Sequence, residues 1–318
     1  MRSTDLDYAL PPELIAQRPA ERRDASRLLV YERRSGDVRQ RSFAELAQEL
    51  GGYLAVVNDT RVVPARLALR RETGGEVEVL LVERRGDERW EALARPSRRL
   101  RAGERLRGRG SASPVELVEP LGAGRWVVKL AGEPDGDLPL PPYVHEAPAD
   151  PERYQTVYAR ESGSAAAPTA GLHFTPELLA SLDHETVTLH VGLDTFRPLT
   201  TETVEEHAIH GERYRVEEAA WGRIESADRV LAVGTTTTRV LETLARGGPL
   251  EGRTDLFITP GFVFRRVDAL LTNFHLPRTT LLALVMAFAG VDATRELYGL
   301  AIREGYRFYS FGDAMLVL

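Results

Sequence analysis

Hydrophobic and polar positions change their rhythm twice along this chain. At 27–31 (RLLVY) and 53–57 (YLAVV) the apolar side chains run almost unbroken, the pattern of strands covered on both faces. Residues 11–20 (PPELIAQRPA) predict a short helix. Ser42, with Glu45 three positions on, predicts a capped helix through Leu50, stopped by Gly51 and Gly52. From about Pro64 alternation takes over: it runs through 65–73 and returns at Val77, Val79 and Leu81 across a Gly74-Gly75 turn. Residues 114–118 and 125–130 flank another glycine turn at Gly122 and Gly124. Short period-two strands joined by tight turns predict a small antiparallel sheet or barrel. The proline-rich stretch 137–151 closes it like a linker. Beyond Tyr154, apolar runs at 186–191, 229–233 and 255–258 alternate with helical stretches at 177–182, 237–245 and 279–288. The expected fold is an α/β main domain assembled from both chain ends, 1–63 plus 151–318, with an antiparallel all-β, barrel-like domain inserted at 64–150.

Composition narrows this picture. The 318 residues suit one large domain or two ordinary ones, and 43% hydrophobic with 28% charged residues is the balance of a soluble globular protein. The longest strongly apolar run, 281–291, is too short to span a bilayer. The N-terminal stretch lacks the apolar centre of a signal peptide, so a cytoplasmic protein without a membrane partner is expected. There is no cysteine, which excludes disulfides, thiolate nucleophiles and cysteine-held zinc or iron–sulfur clusters. The net charge of -6 argues against a nucleic-acid partner only on average. Arg95, Arg98, Arg99, Arg101, Arg105, Arg107 and Arg109 crowd one stretch, opposed there by Glu104 alone. Such a patch either tracks a phosphate backbone or is a solvated surface in a protein whose single lysine is Lys129.

Candidate chemistry lies in strings of small and polar residues. GSAAAPTAGLHFT at 163–175 has too little bulk for ordinary core and lets backbone approach another element or a ligand. Similar strings recur at 190–196 (HVGLDTF), 234–239 (GTTTTR), 272–280 (TNFHLPRTT) and 306–315 (YRFYSFGDAM), as though one site were lined from several loop tips. At 229–239 a strand, a glycine and four threonines open a helix, so Gly234, Thr235, Thr236, Thr237 and Thr238 either cap it or hold a carboxylate or single phosphate. The stretch has neither a P-loop lysine nor a dinucleotide fingerprint. His173, His190 and His275 are either structural or proton-exchanging groups. His207 and His210 could pair on a metal but lack a convincing third ligand, so no metal site is expected. Asp59, Asp194 and Asp313 sit at strand or loop ends, where carboxylates face a cleft or form local turns. Tyr306, Phe308, Tyr309 and Phe311 could stack a nucleobase, but at least two read as core.

Taken together, LPPELIAQRPAERRDASRLLV at 10–30, NDTRVVPARL, TVYAR, GSAAAPTAGLHFT, HVGLDTFRP, GTTTTRVLE, TDLFITPGF, TNFHLPRTTLLALV and YRFYSFGDAML resemble one family across essentially the whole chain. It is the S-adenosylmethionine:tRNA ribosyltransferase-isomerases of queuosine synthesis. The resemblance implies transfer of the ribosyl group of S-adenosylmethionine to 7-aminomethyl-7-deazaguanine at the wobble position of tRNA. The product carries epoxyqueuosine, and adenine and methionine leave. It implies an α/β fold with an inserted barrel, no cofactor beyond S-adenosylmethionine consumed as substrate, and tRNA as partner. A monomer is expected. The catalytic candidates are His173, His275 and Asp194. Substrate-binding candidates are Asp59, Arg61, Thr169, His190, Gly234 to Thr238, Arg278, Tyr309 and Asp313, and Arg98, Arg99 and Arg101 are candidates for tRNA. Two other classes stay open on residues alone: a metal-dependent hydrolase using His207 and His210, and a non-catalytic RNA-binding protein.

Overall fold

The computed structural model describes every residue except 87, 109–112, 147, 193–198, 208 and 210. The chain divides into two compact units. One comprises Met1–Thr60, Pro141–Glu161 and Pro168–Leu318; the other comprises Arg61–Leu140 and Ser162–Ala167. The breaks therefore fall away from the expected 63/64 and 150/151. Residues 141–150 belong to the first unit because Tyr143 anchors them there: its hydroxyl meets Ser310 Oγ at 2.7 Å and its ring centroid lies 4.7 Å from that of Tyr309.

The first unit opens with β1 (Arg27–Tyr31), β2 (Val38–Ser42) and β3 (Leu54–Asn58). After β4 (Thr60–Val62) come the strands of the second unit: β5 (Arg66–Arg71), β6 (Glu76–Arg84), β7 (Arg89–Arg95), β8 (Arg105–Gly108), β9 (Val115–Gly122) and β10 (Arg125–Leu130). These six close into an antiparallel barrel in the order β10-β7-β6-β5-β8-β9, which leaves no free edge. The inward half of each alternation, including Leu67, Leu69, Val77, Val79, Leu81 and Leu117, makes its core with Trp90. Strands β7 and β8 escape the alternation signal for physical reasons. β7 buries Trp90, Glu91 and Ala92 in succession beside a register shift in β6, and β8 has four residues with one buried.

After β11 (Glu161–Ser164), which pairs with β4, the first unit resumes with β12 (His184–Leu189), β13 (Glu212–Arg215), β14 (Val230–Val233), β15 (Glu251–Thr254), β16 (Ala269–Asn273) and β17 (Ala314–Val317). Its sheet has nine strands in the order β15-β13-β12-β3-β14-β16-β17-β1-β2. Strands β3, β14, β16 and β17 are buried along their whole length; β14 and β17 are apolar throughout, while β3 and β16 end in the buried polar residues Asn58, Thr272 and Asn273. The helices are α1 (Leu46–Glu49), α2 (Pro176–Ala180), α3 (Glu218–Ser226), α4 (Thr235–Leu244), α5 (Thr280–Ala289) and α6 (Val291–Arg303).

Three local expectations need correction. Residues 11–20 form no α-helix but a single 3-10 turn, Pro12–Leu14, after which Ile15 turns extended and bridges Phe308. The helix after Ser42 starts as a 3-10 turn, Phe43–Glu45, with the Ser42 amide donating to the Glu45 carboxylate at 2.8 Å. The strand expected at 255–258 lies earlier, as β15, an edge strand paired only with β13. Among the described residues no helix is long and apolar enough to cross a membrane.

Strand direction decides where chemistry can gather. β12, β3, β14 and β16 run parallel, while β17 is antiparallel to β16 and parallel to β1. The carboxyl ends of the first four strands therefore share one edge with the amino ends of β17 and β1. That edge carries His190, Asn58 and Asp59, Gly234 to Thr236, Asn273 to His275, Asp313 and Ser26. Ligands of open α/β sheets favour such an edge, where loops leave parallel strands.

Candidate active site at the carboxyl edge of the large sheet

The low-bulk string brings His173 to this edge. A Cβ on Gly171 would lie 1.9 Å from the Tyr158 hydroxyl, so only glycine lets the backbone pass. His173 follows, buried and stacked on Phe43 with centroids 4.9 Å apart. Its Nδ1 meets Ser26 Oγ at 2.7 Å and its Nε2 meets Asn273 Nδ2 at 3.1 Å. The amide nitrogen also faces the Asp313 carbonyl at 3.5 Å, which sets it as donor. His173 is thus a neutral ring that accepts at Nε2 and donates from Nδ1 to Ser26. Burial, with Arg307 and Arg23 adding repulsion, lowers its pKa to about 3. Both nitrogens are committed to holding three chain segments together.

His275 is arranged differently. Its backbone is fixed from both sides: the Tyr8 hydroxyl donates to its carbonyl, and its amide donates to the Tyr298 hydroxyl at 3.0 Å. Nε2 meets Thr272 Oγ1 at 2.7 Å, and Nδ1 has no protein partner among the described residues. The residue lines a narrow cleft with Tyr143, Thr169, Asn273, Tyr309 and Ser310. Burial lowers its pKa to about 3, so the ring is neutral at neutral pH. A neutral imidazole with one nitrogen anchored and the other facing a cleft can exchange a proton there.

Asn58 and Asp59 end β3. The buried Asn58 side chain bridges the Leu189 amide and carbonyl, both at 3.0 Å. Asp59 accepts from Thr188 Oγ1 at 2.6 Å and Arg160 at 2.8 Å, yet burial outweighs both and raises its pKa. On the neighbouring strand end, His190 Nδ1 lies 2.9 Å from Thr60 Oγ1.

The threonine cluster is smaller as a donor set than its sequence promises. Gly234 takes φ 92° to cap α4. The hydroxyls of Thr237 and Thr238 turn back onto the carbonyls of Val233 and Gly234, at 2.7 and 3.1 Å. Thr236 Oγ1 lies 3.4 Å from Asn58 Nδ2, and the Thr235 hydroxyl has no partner among the described residues. Only Thr235, Thr236 and the first helical amides are left to meet an anion.

The other candidates separate. Asp313 accepts the Arg27 and Arg307 amides at 2.9 and 2.8 Å, which makes its carboxylate a clamp on the loop before β17. Tyr309 lines the cleft at φ 71°, a strained setting for a tyrosine. All four aromatics at 306–311 are buried, in a loop rather than a strand. Thr169 lines the cleft; Arg278 sits outside its lining, 4.0 Å from Asp7. Arg61 is a half-buried residue of the second unit. Asp194, Arg109 and His210 lie outside the described residues. In the barrel, Arg105 and Arg107 pair with Glu116 and Glu72 at 3.7 and 3.6 Å, and Glu104 is taken by Arg71. Arg98, Arg99 and Arg101 are exposed and have no ion pair within 4 Å among the described residues. No group of three or more potential metal ligands occurs among the described residues, which include His207 but not His210.

Ser26, Tyr143 and Asn273 were not singled out in the sequence. Asn273 stands within the TNFHLPRTT string, but its partner His173 is 100 residues away, and no local pattern announces that pairing.

A mixed α/β sheet with chemistry at its strand ends, interrupted by a closed six-stranded barrel, defines a two-unit class without a dinucleotide-type phosphate turn. The chain belongs to the family described as "Queuosine biosynthesis protein", whose model matches residues 3–317. It is 54% identical to the S-adenosylmethionine:tRNA ribosyltransferase-isomerase of Rubrobacter xylanophilus, over 100% of this chain and 98% of that protein. The protein of the same name from Moorella thermoacetica is 51% identical, over 100% of both chains. A crystal structure of the S-adenosylmethionine tRNA ribosyltransferase from Thermotoga maritima aligns with TM-score 0.57 at 38% identity, over 99% of this chain and 100% of that one.

Proposed function

We propose that this protein transfers and isomerises the ribosyl group of S-adenosylmethionine onto 7-aminomethyl-7-deazaguanine at the tRNA wobble position, releasing adenine and methionine. The observation that carries the reading is family membership across 3–317, together with relatives of that activity matched end to end. The reaction needs a base for the acidic proton beside the sulfonium and acid–base help as adenine departs. His275 suits that work better than His173, because one of its ring nitrogens is free and it lines the cleft. Asp59, whose pKa burial raises, is a second proton-exchanging group at the same sheet edge. Thr235, Thr236 and the amino end of α4 suit the methionyl carboxylate or a phosphate. Arg98, Arg99 and Arg101 suit the tRNA backbone. No redox cofactor or metal is called for by this chemistry.

Purified protein is expected to release adenine and methionine from S-adenosylmethionine only with tRNA bearing the aminomethyl-deazaguanine, and to leave a ribosyl-derived group on that base. Methyl transfer to RNA, or release indifferent to the modified base, would overturn the assignment.

A further inference from the structure

Asn273 ends β16 with 2% of its surface exposed and lines the cleft beside His275. Its amide nitrogen is engaged by His173 and the Asp313 carbonyl, while its Oδ1 has no hydrogen-bond partner among the described residues. A buried carbonyl left unpaired costs free energy that folding alone has no reason to retain, and such groups are rare enough to require a cause. Rotating the amide is no remedy, because it would set Oδ1 against the Asp313 carbonyl. The His173 ring, itself locked by Ser26 and Phe43, thus holds the carboxamide in a conformation that keeps an acceptor unsatisfied.

We infer that Asn273 Oδ1 is a substrate-binding acceptor for the exocyclic 6-amino group of adenine, making this cleft the subsite for the nucleobase edge. The inference rests on the proposed use of S-adenosylmethionine. The methionyl ammonium and the aminomethyl group of the tRNA base are cations and demand an anionic partner when taken out of water. The neutral ring-bound donors are the 6-amino group of adenine and the N1–H and 2-amino group of the deazaguanine. The deazaguanine donors form an adjacent pair that calls for two acceptors, whereas the adenine amine suits a single one. Among the described residues no carboxylate lines the cleft; its walls are Tyr143, Phe274, Leu276, Leu281 and Tyr309, with the hydroxyls of Thr169, Thr279 and Ser310. A neutral carbonyl between aromatic and aliphatic walls matches a neutral amine on a flat ring. The free space, about 30 Å³, takes the amino edge and not the whole purine. His173 is then a positioning residue, which orients the group that reads the base.

The test uses the intact protein with saturating modified tRNA, following adenine release from S-adenosylmethionine. The competitor is a counterpart of S-adenosylmethionine with hydrogen in place of the 6-amino group. Against wild type this competitor should bind roughly tenfold to hundredfold more weakly than S-adenosylmethionine itself, because it leaves Oδ1 unpaired. In Asn273→Leu the two should bind within about twofold of each other, S-adenosylmethionine having lost its advantage. His173→Gln, with its looser carboxamide, should fall between. Equal binding of both compounds to wild type overturns the inference without needing any variant, as does an undiminished preference in a folded Asn273→Leu protein. Absence of adenine release by wild type would instead strike at the proposed function.

Discussion

The barrel and the carboxyl edge of the large sheet handle buried surface in opposite ways. The barrel interior is lined by apolar side chains and Trp90, whose indole nitrogen is its one core polar atom without a partner among the described residues, and its buried Glu91 is neutralised by Arg85 and Arg125. The sheet edge buries Asn58, Asp59, His173, Asn273, Asp313 and four consecutive threonines. Most of these groups are hydrogen-bonded within the protein, but among the described residues Asn273 Oδ1 and the Thr235 hydroxyl have no partner, nor does Nδ1 of the half-buried His275 beside them. In the barrel, burial is an end in itself; at the edge, a shell of satisfied polar groups holds a few unsatisfied ones in place. Residues in the first region should therefore govern stability, and residues in the second should govern binding and rate.

Truncating the barrel core is the strongest stability test. Trp90→Ala, which removes a fully buried ring, is expected to cost about 3–5 kcal/mol in denaturant or thermal unfolding. Adenine release per folded molecule, measured well below the melt, should change little by comparison. The threonines give a finer contrast within one helix. Thr235→Val with Thr236→Val should weaken binding of S-adenosylmethionine or tRNA by about 1.5–3 kcal/mol if an anion is held there by charge-assisted bonds. Thr237→Val and Thr238→Val, whose hydroxyls bond the helix's own carbonyls, should leave affinity alone, and calorimetry separates the pairs.

How far these assignments could be foreseen follows from the same contrast. Strands β1 and β10 are legible at the bounds 27–31 and 125–130 because their side chains report burial directly. The α/β pattern with an interposed barrel is legible for the same reason. The polar edge is not. Ser26 lies 147 residues from His173, and the back-bonding of Thr237 and Thr238 depends on rotamers, not on composition. Polar strand β15 escapes the apolar pattern because an edge strand exposed on its flank shows no apolar run. Of the two histidines, the string identified both as candidates, but only three-dimensional partners distinguish the ring that is fully bonded from the one that is not.

A pH titration of stability sharpens the comparison further. His173 and His275 have pKa values lowered to about 3 in the fold, against roughly 6.5 in the unfolded chain. The unfolded state therefore binds more protons between those values. The stability associated with these neutral rings is fully present above about pH 6.5 and is lost progressively as pH falls toward 3. His173→Gln should flatten that slope, read as melting temperature against pH, whereas barrel variants should shift the curve without flattening it.

The smallest effect is expected at the barrel surface. Reversing Arg98, Arg99 and Arg101 to glutamate should weaken tRNA binding and reduce its dependence on salt, with no change in affinity for S-adenosylmethionine. An unaltered salt slope would make this patch plain solvated surface.

The most direct measurement compares His173 and His275 under single-turnover conditions with saturating S-adenosylmethionine and modified tRNA. His275→Ala is expected to slow adenine release by about 10²–10⁴-fold while both substrates still bind and the protein melts cooperatively. His173→Gln, which preserves a hydrogen-bonding side chain against Ser26 and Asn273, is expected to alter the chemical step far less than substrate half-saturation. A His275→Ala protein that releases adenine at the wild-type rate would contradict the assignment of proton exchange to this cleft.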